Sequence, residues 1–121
     1  RVASRGLGDV YKRQVQGLSE GINFGIKANL DMKKVLDVIQ YGAAGSWQMT
    51  NRGETMVSNK FDFGFAVDWM RKDLKLCLEE ARKNKSRLPV TSIIDQFYAQ
   101  IQENDGGRFD TSSLISLLNR N

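Results

Sequence analysis

The chain has no histidine, one cysteine and one proline in 121 residues. Without histidine, neither a Ser-His-Asp nor a Cys-His catalytic group can assemble within it. A single thiol, Cys77, and no imidazole exclude the usual zinc ligand sets and any intrachain disulfide; no metal is expected. A lone thiol on the inner side of a helical pattern suits a cytoplasmic protein. No apolar run approaches the roughly 20 residues of a membrane span. The N-terminus lacks the apolar core of a signal peptide. Phe61, Phe63 and Phe65 alternate, but over too few residues to build a sheet.

Positive charge is in modest surplus, with 18 basic residues against 14 acidic and a net charge of +4. Its location matters more than its size. Arg1, Arg5, Lys12 and Arg13 stand against Asp9 alone in residues 1–14, which leaves only a small surplus for the rest. A nucleic-acid-binding reading would rest on that tag and is set aside. The same segment holds Gly6-Leu7-Gly8, like the start of a dinucleotide-binding loop. Tyr11 occupies the third glycine position and no apolar strand precedes it, so the necessary strand, turn and helix are missing. The string GLGDVYKRQ also resembles a read-through artefact of assembled environmental sequence, and residues 1–14 are read as a non-native scar outside the fold.

From Val15 the apolar spacing is helical. Val15, Leu18, Ile22 and Ile26 recur every three or four residues. Gly17, Gly21 and Gly25 run along the same helix, each costing about 1 kcal/mol against alanine, and close approach of another backbone is the expected compensation. Asp31 is the N-cap of a second helix through Val35, Leu36 and Ile39. Gly42 to Gly45 form a loop, and Ser46 caps a segment from Trp47 to Val57. A phenylalanine-rich break follows. The longest helix is expected over residues 66–85, with Val67, Met70, Leu74, Cys77, Leu78 and Ala81 inward. Pro89 opens another helix with a stripe of Val90, Ile93, Ile94, Phe97 and Ile101, stopped by Asn104-Asp105-Gly106-Gly107. Asp110 or Thr111 caps a last short helix carrying Leu114, Ile115, Leu117 and Leu118. The expected fold is an all-α helical bundle.

Several residues invite a chemical reading. Lys72 lies nearly opposite the Val67-Met70-Leu74 stripe, and its helical neighbours are Trp69 and Leu76. Two readings stand: the lysine stem covers Trp69, or the face is covered by a partner subunit or a ligand. Asp73 beside it reads as solvated or paired with Arg71, Lys72 or a more distant group. Phe61 to Phe65 reads as core closure, and Glu79-Glu80 as helix surface, since adjacent positions diverge by about 100°. Arg82, Lys83, Lys85 and Arg87 suit the negative end of a helix.

The stretch Gly64-Phe65-Ala66-Val67-Asp68-Trp69-Met70-Arg71-Lys72-Asp73-Leu74 resembles a signature of the β-hydroxyacid dehydrogenases, nearest their 3-hydroxyisobutyrate dehydrogenase branch. Gly17-Leu18-Ser19-Glu20-Gly21, Leu88-Pro89-Val90-Thr91 and Asp110-Thr111-Ser112-Ser113-Leu114 extend the likeness in order, from Val15 to about Leu118. The resemblance implies that residues 15–121 are the C-terminal helical domain of an NAD- or NADP-dependent oxidoreductase, of the 6-phosphogluconate dehydrogenase-like kind. It also implies an N-terminal Rossmann domain outside this chain. Hydride would pass between a short 3-hydroxy acid, such as 3-hydroxyisobutyrate, and the nicotinamide. Lys72 would lie near the cofactor, and Phe65 and Asp73 would line the active site.

The family's catalytic lysine belongs to a Lys-x-x-Asn motif that Lys12-Arg13-Gln14-Val15 does not reproduce. No catalytic residue is therefore assigned, and the chain alone is expected to be inactive. Subunit association through the helical domain implies a homo-oligomer, without nucleic acid or membrane as partner. A reductase of tartronate semialdehyde (2-hydroxy-3-oxopropionate) is the alternative within the family, and a non-enzymatic helical assembly module the alternative outside it.

Overall fold

The computed structural model describes residues 2–118, with side chains from Val10 onward; the charges of Arg1, Arg5 and Asp9 lie outside the described side chains. Five α-helices follow one another: α1 (Val2–Lys27), α2 (Met32–Ile39), α3 (Trp47–Val57), α4 (Val67–Asn84) and α5 (Pro89–Glu103). A 3₁₀ segment at Thr111–Leu117 completes the order. Among the described residues there is no strand, only an isolated antiparallel bridge between Ala66 and Asp110.

The helix starts follow from capping chemistry. Asp31 accepts from the Lys34 N–H at 3.4 Å, and Ser46 from the Met49 N–H at 3.1 Å. Each satisfies one of the donors that a helix leaves free at its N-terminus. Pro89 occupies the first turn of α5, where no N–H is needed. Asn29, Asn59, Lys85 and Asp105 take positive φ where helices end or turn; asparagine and aspartate tolerate this better than Lys85 does.

Two apolar clusters make the core. One joins Val15, Val67, Met70, Leu74, Ile94, Tyr98, Ile101 and Leu114; the other joins Ile22, Met32, Leu36, Met49, Met56, Phe61 and Ile115. α1 and the 3₁₀ segment contribute to both. Tyr98 is fully buried and donates its hydroxyl to the Thr111 carbonyl at 3.1 Å. Burial drives its pKa well above the usual value for a phenol.

Several sequence expectations are corrected. The longest helix is not the one expected over residues 66–85: α1, whose backbone includes residues 2–14, has 26 residues against the 18 of α4. Lys12 within that segment is buried. The glycine ridge is not a close helix contact throughout. A Cβ at Gly17 or Gly21 would meet nothing within 4 Å, and only at Gly25 would it overlap a neighbour, Met32. In α5 the buried set is Thr91, Ile94, Asp95, Tyr98 and Ile101, while Val90 and Ile93 are exposed. The inward face is thus rotated toward a polar residue, because Asp95 meets an arginine from α4. Of the three alternating phenylalanines only Phe61 is buried. The last helix is 3₁₀ rather than α, and Asp110 is its cap.

Candidate functional site

α4 has two faces of opposite character. Val67, Met70, Leu74, Cys77 and Ala81 are buried at helical spacing. At about 100° per residue, Trp69, Lys72, Asp73 and Leu76 all fall within roughly a third of the circumference on the other side. Trp69 is 68% exposed and Leu76 37%. Lys72 is exposed as well, and Asp73 is half-buried. No described residue buries Trp69. Phe65, in the loop just before α4, is 37% exposed at the same end.

Lys72 sits on the rim of an open depression of about 540 Å³ along the seam between α4 and α5. Arg71, Lys75 and Arg82 line it together with Glu79 and Asp95. Arg71 is already neutralised. Its Nε donates to Asp95 Oδ1 at 2.9 Å and its Nη2 to Asp95 Oδ2 at 3.3 Å, a two-pronged pair. Its Nη1 reaches Gln102 Oε1 at 3.1 Å, and Gln102 Nε2 donates to Asp68 Oδ1 at 2.6 Å. Arg71 is therefore committed across the helix seam. Lys72, Lys75 and Arg82 remain against Glu79, so the rim is positive.

Phe65 is held from beneath by a buried carboxylate. Asp110 is completely buried. Its Oδ1 accepts from the Phe65 N–H at 2.9 Å. Its Oδ2 accepts from Arg52 Nε at 3.1 Å, from the Ser112 N–H at 3.1 Å and from Ser112 Oγ at 2.5 Å. The Phe65 carbonyl in turn accepts from the Thr111 N–H at 2.9 Å, and the Phe61 carbonyl from the Asp110 N–H at 2.9 Å. Gly64 makes this approach possible: its φ is +74°, and a Cβ there would overlap Asp110 Oδ1. The Arg52 guanidinium lies 5.0 Å from the ring centre of Trp47 and 5.0 Å from that of Phe63.

The three residues singled out by sequence thus lie at one end and along one open face of α4. Arg52, Asp95 and Gln102 escaped sequence reasoning, because their partners lie 58, 24 and 31 positions away. The only local signal was Asp110, which reads as a helix cap.

Lys12 faces inward from α1, and burial lowers its pKa from 10.5 to about 8. Among the described residues no group of histidine, cysteine, aspartate and glutamate could hold a metal ion. No described helix is long and apolar enough to cross a membrane.

Comparison with known proteins agrees with this architecture. Residues 10–118 match the family model described as NAD-binding of NADP-dependent 3-hydroxyisobutyrate dehydrogenase. An uncharacterized oxidoreductase of Shewanella frigidimarina is 56% identical over 106 residues, 88% of this chain and 36% of that protein. A probable 3-hydroxyisobutyrate dehydrogenase-like protein 1, mitochondrial, of Arabidopsis thaliana is 36% identical over 104 residues, 86% of this chain and 31% of that protein. The chain therefore spans about a third of the length of these relatives. The 3-hydroxyisobutyrate dehydrogenase of Mycobacterium tuberculosis, solved with L-serine, has the same fold, with a TM-score of 0.83 at 22% identity. That likeness covers 98% of this chain and 43% of the solved one. The chain belongs to the NAD-binding helical-domain family of the 3-hydroxyisobutyrate dehydrogenases.

Proposed function

We propose that this chain is the helical domain of a cytoplasmic, oligomeric NAD(P)-dependent dehydrogenase that oxidises a short 3-hydroxy acid such as 3-hydroxyisobutyrate. In this reading Lys72 holds the cofactor by charge, and Phe65 and Asp73 line the active site. The observation that carries it is the open face of α4. A tryptophan 68% exposed beside a phenylalanine 37% exposed and a positive rim is costly for a domain that stands alone. It becomes intelligible when a second domain and a dinucleotide lie against it.

When bound, NAD(P) supplies the hydride acceptor. This chain's own residues bind and enclose. The Lys72 ammonium attracts the negative cofactor, and the attraction strengthens as water is displaced from beside Trp69. Phe65 supplies an apolar wall that limits water at the reacting end. Lys12 receives no proton-transfer part, since the family motif around it is not reproduced, and the 121-residue chain alone is inactive in this proposal. The same reading treats residues 1–14 as foreign to the native domain. The coding DNA upstream of Val15 tests that view.

The direct test is Lys72→Ala in the complete dehydrogenase, assayed with 3-hydroxyisobutyrate and with 2-hydroxy-3-oxopropionate. The KM for NAD(P) should rise about tenfold, the effect of losing one charge-assisted contact, and Lys72→Arg should recover most of it. An unchanged cofactor KM in Lys72→Ala rejects the assignment. A stable oligomer with no response to NAD(P) would instead favour a helical assembly module.

A further inference from the structure

The Asp110 side chain is the most heavily engaged polar group in the described structure, and it holds a loop rather than a helix–helix seam. Its two oxygens accept four hydrogen bonds, from Phe65 N–H, Arg52 Nε, Ser112 N–H and Ser112 Oγ. A fully buried carboxylate is tolerable only with such partners. The arrangement is directional. Oδ1 faces the Phe65 amide, and Oδ2 faces the arginine and the serine. The backbone on either side of the phenylalanine is tied down as well, through Thr111 N–H to the Phe65 carbonyl and Val67 N–H to the Phe109 carbonyl, both at 2.9 Å. Phe65 therefore has a fixed main chain while its ring stands partly in the open.

Arg52 extends this arrangement to the surface. Its side chain is 16% exposed, its Nε is bonded to Asp110, and its guanidinium is within 5.0 Å of both the Trp47 and the Phe63 ring centres. Tyr11 on α1 packs against Trp47, with ring centres 6.1 Å apart. A continuous path of contacts thus runs from α1 through Trp47 and Arg52 to Asp110 and the Phe65 amide.

We infer that Arg52 and Asp110 are positioning residues, which set the Phe65 ring at the edge of the active site by fixing its amide. This rests on the reading of Phe65 given above. Arg52 holds the carboxylate in the orientation that Phe65 needs; neither residue touches substrate. Gly64 belongs to the same device, because any side chain there would push Asp110 away from the amide.

Two measurements test it. The first is amide hydrogen exchange at Phe65 in the 121-residue chain. Asp110→Asn keeps the shape but has one acceptor oxygen for four donors; with that oxygen on Arg52 and Ser112, its NH2 faces the Phe65 N–H and can no longer accept from it, and Arg52→Met removes the orienting charge. Exchange at Phe65 should accelerate about tenfold or more in both, as expected for the loss of a charge-assisted bond, while amides in the middle of α5 change little. Arg52→Lys should restore part of the protection. Unchanged protection at Phe65 in Asp110→Asn and Arg52→Met overturns the inference. If Asp110→Asn fails to fold, Arg52→Met alone decides.

The second is a double-substitution cycle in the complete dehydrogenase. Arg52→Met should raise the KM for the hydroxy acid severalfold and leave the cofactor KM within about twofold, and this effect should vanish when Phe65 is already Leu. Equal effects of Arg52→Met in both backgrounds also overturn it. A Phe65→Leu enzyme with wild-type kinetics would reject the placement of Phe65 in the active site, while the exchange data would still decide the clamp.

Discussion

Arg52–Asp110 and Arg71–Asp95 each join distant segments of the chain, and burial separates them. Arg52–Asp110 has side chains 16% and 0% exposed, and its carboxylate accepts bonds from three residues. Arg71–Asp95 is 31% and 10% exposed, is bonded through both oxygens, and bridges α4 to α5. The first sits under the loop that carries Phe65; the second borders the depression beside Lys72. A pair that water can reach is replaceable, because solvent takes over when one partner goes. A pair sealed in the interior is not, because the surviving charge and donors are left without solvent.

Substitution should expose that contrast. Asp110→Ala is expected to cost about 3–5 kcal/mol, the usual penalty for breaking a sealed pair, read as a fall in the urea midpoint. Asp95→Ala should cost less, about 1–3 kcal/mol, because Arg71 keeps Gln102 and reaches water. Equal losses would show that burial does not rank the two pairs.

Lys12 sharpens the comparison from the opposite side, as a charge the fold disfavours. Its folded pKa of about 8 lies below the ordinary 10.5, so between these values the unfolded chain binds the proton and the folded chain does not. Stability from this group therefore rises as pH increases from about 8, and below that pH it is a standing cost. Tyr98 acts oppositely. Its raised pKa means that the unfolded phenol ionises first, and stability is lost above about pH 10. Lys12→Met should raise the urea midpoint at pH 7, by more than it does at pH 10. A larger gain at pH 10 would contradict the assignment.

The smallest effect is expected at Ser113, whose buried Oγ has no hydrogen-bond partner among the described residues. Removing an unsatisfied hydroxyl relieves desolvation as it opens a small gap, so Ser113→Ala should shift stability by no more than about 0.5 kcal/mol, in either direction. A loss beyond 1 kcal/mol in thermal or urea unfolding would show that the hydroxyl is used.

Helix placement was legible because its causes are local. Asp31, Ser46, Pro89 and the Asn104-Asp105-Gly106-Gly107 stop act within a turn of the helices they bound. Errors arose where a distant partner decided. The inward face of α5 turned toward Asp95 because Arg71 waits across the seam, leaving Val90 and Ile93 outside. Gly17 and Gly21 looked like a packing ridge, yet glycine spacing carries no information about whether a neighbour is there.

For the candidate site, Lys72, Asp73 and Phe65 were visible as an ordered motif, and helical periodicity alone put Trp69, Lys72 and Leu76 on a face apart from the core. That this face is open, and that its leading phenylalanine hangs from a carboxylate 45 positions later, were not. The sequence by itself determined an all-helical chain, the starts of α2, α3 and α5 and a family likeness, because capping and periodicity are short-range. Tertiary structure alone decided which charges are sealed, which stay wet and which loop the sealed one holds, because burial and pairing depend on segments that meet only when the chain is folded.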